Sequence, residues 1–168
     1  MNKFYSIYLL LLNIEPDCIK LIGSAKTGFS VSPHPDFGKS FSDKSDLDFA
    51  IIHEDIFKRL KEEYITWKYA YTSEKIMPNN AREMKFWNEN IERLSINIHR
   101  GLIDTYKIPN RNLCPLTMCI NNSMSLIKTK LAQCHNIIVS NVSVRVYKDS
   151  TCFWRQLKLN TDQILRCK

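Results

Sequence analysis

The sequence predicts a mixed α/β (α+β) fold, a small mixed sheet flanked by helices with a large helical complement. Three observations predict it. Val142, Val144 and Val146 alternate with Ser143, Arg145 and Tyr147, the period of a half-buried strand. An earlier apolar run, Leu47-Asp48-Phe49-Ala50-Ile51-Ile52, opens just after Asp46, and in an extended chain Asp46 and Asp48 share one face while Leu47, Phe49 and Ile51 share the other. Between these two runs, apolar residues recur at spacings of three and four, the stripe of a helix that buries one side. Four glycines and six prolines in 168 residues are too few for an all-β sandwich, and the length is that of one domain able to bury its own core.

The elements follow in order. Residues 3–13 are apolar and are expected to form a first helix, leading to a strand at 18–22 and a helix start at Gly23 to Thr27. The stretch 30–40, with two prolines, a glycine and three serines, reads as a loop that lengthens the path to Asp46. The strand 46–52 comes next. Glu54 and Asp55 then supply the negative charge that the first turn of a helix favours. That helix carries Phe57, Leu60, Tyr64, Trp67 and Tyr71 as its stripe, until Pro78-Asn79-Asn80 breaks it. A second helix places Met84, Trp87, Ile91, Leu94 and Ile98 inward and is expected to run to about Asp104. After the Pro109–Pro115 loop, Leu116, Ile120, Ile127 and Leu131 mark a third helix across Asn121-Asn122. The strand 142–147 and a last helix near Asp149-Ser150-Thr151, with Trp154, Leu157 and Leu165 inward, complete the chain. The whole is read as one domain, 1–168: a half with the acidic motif (1–55), a helical part (56–135), and a final strand with a basic helix (136–168).

Composition narrows the class. The apolar run Phe4 to Leu12 is short, is closed by Glu15 and Pro16, and has no small-residue cleavage pattern after it, so a packed helix is expected rather than a signal peptide or a membrane span. Six cysteines without a C-x-x-C pair or Cys/His spacing point to reduced, mostly buried thiols in a cytoplasmic protein. His34 and His53 stand alone and receive no catalytic role. The net charge of +7 is uneven: residues 1–100 hold 14 basic and 14 acidic side chains, residues 101–168 hold 10 and 3. A neutral half with the acidic motif joined to a basic half suits a polyanionic partner, with Lys128, Lys130, Arg155 and Lys158 as its candidate surface.

Two features carry chemistry. Carboxylates side by side on one strand face repel each other, a cost that a shared cation removes, so Asp46 and Asp48 are candidate metal ligands. The Gly23-Ser24 turn at the end of the preceding strand offers backbone N–H groups and a hydroxyl that suit a phosphate. Phosphate beside a divalent metal is the chemistry of nucleotide transfer.

Gly23-Ser24 followed by Asp46-Leu47-Asp48 resembles the signature of the polymerase-β-type nucleotidyltransferases, and within them the small stand-alone bacterial proteins of that type. The match covers residues 18 to 52, about a fifth of the chain. The resemblance implies a nucleotidyltransferase-like fold with a two-metal Mg²⁺ site. Asp46 and Asp48 would be the catalytic carboxylates bridging the ions, Gly23 and Ser24 would hold the phosphates of an NTP substrate, and Lys26 would contact phosphate as a point charge. It also implies transfer of a nucleoside monophosphate to a hydroxyl on a protein, an RNA or a nucleotide, in a toxin–antitoxin or phage-defence setting.

The chain departs from the family twice. Ala25 to Ser45 make a longer connection than usual between Gly-Ser and the first aspartate. The third acidic residue, expected from a later strand, also has no evident counterpart: the polar face of 142–147 offers Ser143 and Arg145, and Asp149 lies beyond its end. Arg145 suits either a phosphate or a salt bridge to an aspartate. The alternative is thus a catalytically degenerate nucleotidyltransferase fold that binds a nucleotide, a partner protein or nucleic acid.

Overall fold

The structure, a computed structural model, describes residues 14–31 and 35–166, without the side chains of 160, 161 and 163–166. The expected first helix, His34, Cys167 and the side chain of Leu165 lie outside the described residues. A 3₁₀ turn at Pro16–Cys18 leads into β1 (Ile19–Ile22), α1 (Ser24–Thr27), β2 (Leu47–Ile52), α2 (Glu54–Thr72) and α3 (Ala81–His99). Then come β3 (Leu102–Asp104), a 3₁₀ turn at Thr105–Lys107, α4 (Pro115–His135), β4 (Val142–Tyr147) and α5 (Ser150–Arg166). The fold is mixed α/β, a four-stranded mixed sheet with five helices among the described residues, about 56% helical. No helix among them is long and apolar enough to cross a membrane.

The sheet order is β1-β2-β4-β3. β2 pairs antiparallel with β1 and parallel with β4, and β3 closes the other edge antiparallel to β4. One face of the sheet, with Ile19, Ile51, Ile103, Val142, Val144 and Val146, packs on α2, α3 and α4 and forms the main core. The stripes meet there: Leu60, Trp67, Leu94 and Ile120 are fully buried, and Trp67, Tyr71 and Trp87 pack edge to face between α2 and α3. α5 covers part of the opposite face through Cys152 and Phe153, which meet Ala50, Leu102 and Tyr147.

Local chemistry sets the helix ends. Asn80 caps α3 by accepting from the Glu83 N–H, while the Glu83 carboxylate accepts from the Asn79 N–H, a reciprocal arrangement close to a capping box. α4 begins on Pro115, and its free donors are met from another helix: the Glu63 carboxylate accepts from the backbone N–H groups of Leu116 and Thr117 and from the Thr117 hydroxyl. Asn121 and Asn122 do not interrupt α4, because they bond outward to Thr105 and Asn110.

Four expectations are corrected. α3 ends at His99, not near Asp104, because Gly101 takes a left-handed φ of 80° and turns the chain into β3. Met84, at 47% exposure, lies outside the buried stripe, on the first turn of α3. Trp154 is 65% exposed, because α5 meets the sheet through its neighbours Cys152 and Phe153. The described cysteines are free, but only Cys114 and Cys152 are buried.

Gly101 also sits where nothing larger fits. A Cβ there would lie 2.3 Å from Cys152 Sγ, at a φ that L side chains rarely adopt. Gly101→Ala is expected to lower unfolding free energy by about 2–3 kcal/mol, read as a fall in the urea midpoint with an unchanged slope. Cys152→Ala in the same chain should recover part of the loss.

Candidate functional site

The topology brings three strand ends together. Because β1 runs against β2 and β4 runs with it, the last residue of β1 and the first residues of β2 and β4 meet at one end of the sheet: Ile22 pairs with Asp48, and Asp48 with Ser143. Paired residues share a face. The face opposite the main core therefore carries Asp48 beside Ser143 and, one step further along, Ala50, Arg145 and Asp104 in a row.

Gly23 follows β1 and lies directly against Asp48. Its backbone has φ 65° and ψ −156°, and a Cβ at this position would stand 3.2 Å from Asp48 Oδ2. Glycine supplies both the left-handed φ and the room. The other carboxylate oxygen, Oδ1, accepts a 2.6 Å hydrogen bond from the Ser143 hydroxyl. Asp48 is half-buried between these neighbours, whereas Asp46, just before the strand, is exposed. Ser24 opens α1 half-buried, and Lys26 is exposed on the same turn. Gly23, Ser24 and Asp48 thus stand together, with Asp46 two residues before Asp48.

The neighbouring row is a charge cluster that the sequence did not reveal. Asp104, 2% exposed, accepts from Arg145 Nε, from Lys107 Nζ at 2.7 Å and from Asn97 Nδ2 at 3.0 Å. Burial alone would raise its pKa, but the positive charges of Arg145 and Lys107 outweigh burial and hold it below the ordinary carboxylate range. Burial likewise works against the charge on Arg145, and the adjacent Asp104 more than restores it, so Arg145 stays charged. Arg145 is therefore committed to a salt bridge. The sequence signal for Asp104 was weak, a lone aspartate after Leu-Ile at what reads as the end of a helix.

Asp149 takes no part in this cluster. It lies past the opposite end of β4, where its carboxylate caps α5 by accepting from the Cys152 N–H at 2.8 Å, a bond that holds its pKa low. Ser143 and Tyr147 are already separated by roughly 13 Å at ~3.3 Å per residue, and Asp149 is beyond Tyr147. His53 likewise sits at the end of β2 away from Asp48. Among the described residues no three His, Cys, Asp or Glu side chains gather as a metal site. The donor set on offer is half-buried Asp48, with exposed Asp46 two residues before it and outside the strand in which the sequence placed it. Mg²⁺ is usually held in such a way, by one or two carboxylates with water and substrate phosphate completing the shell.

The basic residues do not form one surface. Lys128 and Lys130 ride on α4, on the main-core side of the sheet, and Arg155 and Lys158 on α5, which packs on the other side. Lys128 donates to the Ser140 carbonyl and Arg155 to the Arg100 carbonyl.

A cavity of about 350 Å³ lies at the free edge of β4, on the side of α3 and α4, with Ser143 in its lining. Its walls come from the start of α3, the 3₁₀ turn and the loop after it, the middle of α4, and Asn141 to Val144. Ser143 borders it and donates to Asp48.

Comparison with protein-family models, with curated proteins and with solved structures gave no match.

Proposed function

We propose that the chain is a nucleotidyltransferase that moves a nucleoside monophosphate from an NTP to a hydroxyl acceptor, an RNA, a protein or a nucleotide, in the cytoplasm. The observation that carries this reading is Asp48 seated between Gly23 and Ser143, with a glycine–carboxylate approach that any side chain at position 23 would crowd and strain. Asp46 and Asp48 would hold Mg²⁺, and the Gly23-Ser24 turn with Lys26 would hold the phosphates. The bound ion would offset phosphate charge and lower the barrier to displacement of pyrophosphate. The protein's own part is orientation. The Ser143 hydroxyl fixes the Asp48 carboxylate, and the missing Cβ of Gly23 leaves the turn open beside it.

One observation favours a second reading, that of a fold which binds nucleotide without turnover. The position on β4 directly beside Asp48 is Ser143, a hydroxyl where a third carboxylate would activate the acceptor. One experiment serves both readings. The chain and its Ser143→Asp variant are incubated with each labelled NTP, Mg²⁺ and a cell lysate, and label on protein or RNA is followed. Transfer by the unmodified chain is the expected result. Transfer by Ser143→Asp alone would establish the binding module, and transfer by neither would end the enzyme reading.

A further inference from the structure

The cavity beside Ser143 has features that the phosphate and metal site does not use. β3 stops at Asp104, opposite Arg145, so β4 has a strand on one side only over Val142 to Val144. In β4 the carbonyls of Asn141 and Tyr147 bond toward β2. The alternation of a parallel pair therefore turns the backbone groups of Val142 and Val144 to the other side, toward the cavity. The Val144 carbonyl there meets the Thr105 hydroxyl at 3.4 Å.

Around this open edge stand neutral polar groups: Asn110, Asn121, Asn141 and Ser125. Side-chain amides offer donor and acceptor together, the pairing needed to read the edge of a heterocycle. Asn121 is bonded to Thr105 through both amide atoms and Asn110 donates to Asn122. The hydrogen bonding to a ligand therefore falls to the Asn141 amide, the Asn110 carbonyl oxygen and the open edge of β4. Phe86 and Tyr106, 38% and 50% exposed, supply aromatic surface on the same walls. Among the described residues the one charged member of the lining, Glu83, is held by Arg111 at 2.7 and 2.8 Å. A phosphate finds no free cation among the described residues of these walls. A neutral, flat, hydrogen-bonding ring finds aromatic surface in Phe86 and Tyr106 and hydrogen-bonding groups in Asn141, Asn110 and the edge of β4. The volume lies at the lower end of the ~300–1,000 Å³ range of small-molecule sites, which suits a nucleoside.

We infer that this cavity is a nucleobase-binding site, distinct from the phosphate site and joined to it through Ser143. The inference deepens the nucleotidyltransferase reading and rests on it for the link to nucleotide transfer. The base would belong either to the incoming NTP or to the acceptor.

The test uses ligands without phosphate. Adenosine, guanosine, cytidine and uridine are titrated separately into the ¹⁵N-labelled protein, with ribose as control. At least one nucleoside should shift the side-chain amide signals of Asn110 and Asn141 and the backbone signals of Val142 and Val144, while ribose leaves them in place. Ser125→Trp, at an exposed position that should preserve the fold, should weaken that binding at least tenfold. Asp48→Asn should leave it unchanged. Competition by an NTP would assign the base to the incoming nucleotide, and simultaneous binding would assign it to the acceptor. Shifts confined to other parts of the molecule, or no response to any nucleoside, would overturn the inference. Nucleoside binding in a chain that transfers no label would sink the enzyme reading and leave this one standing. Label transfer that is indifferent to Ser125→Trp, with no nucleoside bound, would do the reverse.

Discussion

For the proposed nucleotidyltransferase activity, Asp48→Asn is expected to reduce transfer at least ~100-fold, the scale on which loss of a preorganised charge at a reacting phosphoryl group acts, while leaving the fold intact. The substitution keeps the shape of the side chain and an acceptor for the Ser143 hydroxyl, so the neighbour that positions it is still satisfied. What it removes is a negative charge two residues along the chain from that of Asp46. Without metal that removal relieves repulsion and weakens the charge assistance of one hydrogen bond, two effects of about 1 kcal/mol that oppose each other. The Tm in chelator should therefore match that of the parent or exceed it slightly. With Mg²⁺ and NTP present the order should reverse, because the parent gains binding energy that the variant lacks. A large loss of stability in chelator would show instead that Asp48 is a structural acceptor for Ser143, and the metal assignment would fall with it.

Much of this site was legible because its rules are local. Strand alternation puts Ser143 and Arg145 on one face of β4 from the sequence alone, and the pairing sets Ser143 beside Asp48. The stripes of α2 and α3 were equally legible, since a helix that buries Leu60 and Trp67, or Trp87 and Leu94, must repeat them at three and four.

The failures have physical causes too. β3 is three residues long, too short to show a period, and Leu102 continues the spacing of Ile98, so it passed for helix. Arg100-Gly101 was the available signal, a glycine where a helix commonly stops. Trp154 was misplaced because periodicity tells that a helix has a face but not how much of it a neighbour covers. The cavity could not be read at all, since residues from four segments of the chain line it and no one segment betrays it.

Asp104 is the clearest case of a role set by tertiary partners, and its substitution should give the largest loss of stability. It is a buried carboxylate held by Arg145, 41 residues away, and by Lys107 and Asn97. Asp104→Asn keeps the volume but leaves two cations beside each other, one mostly buried and one about a third exposed, with no counter-charge. Breaking a buried pair from one side costs about 3–5 kcal/mol, and solvent at Arg145 brings the expectation to about 3 kcal/mol, or a fall in Tm of roughly 6–12 °C. Arg145→Met in the Asp104→Asn background should recover part of it, since one unpaired charge is then gone. The pH dependence has a definite sign. The folded pKa of Asp104 lies below its ordinary 3.8. Its contribution is therefore fully present above that value and is lost as pH falls through the lower folded pKa. The difference in stability between parent and Asp104→Asn should be constant from pH 5 to 7 and shrink below about pH 4. A difference that grew on acidification would mean that the carboxylate is protonated in the native protein and that the cluster is not the ion pair described.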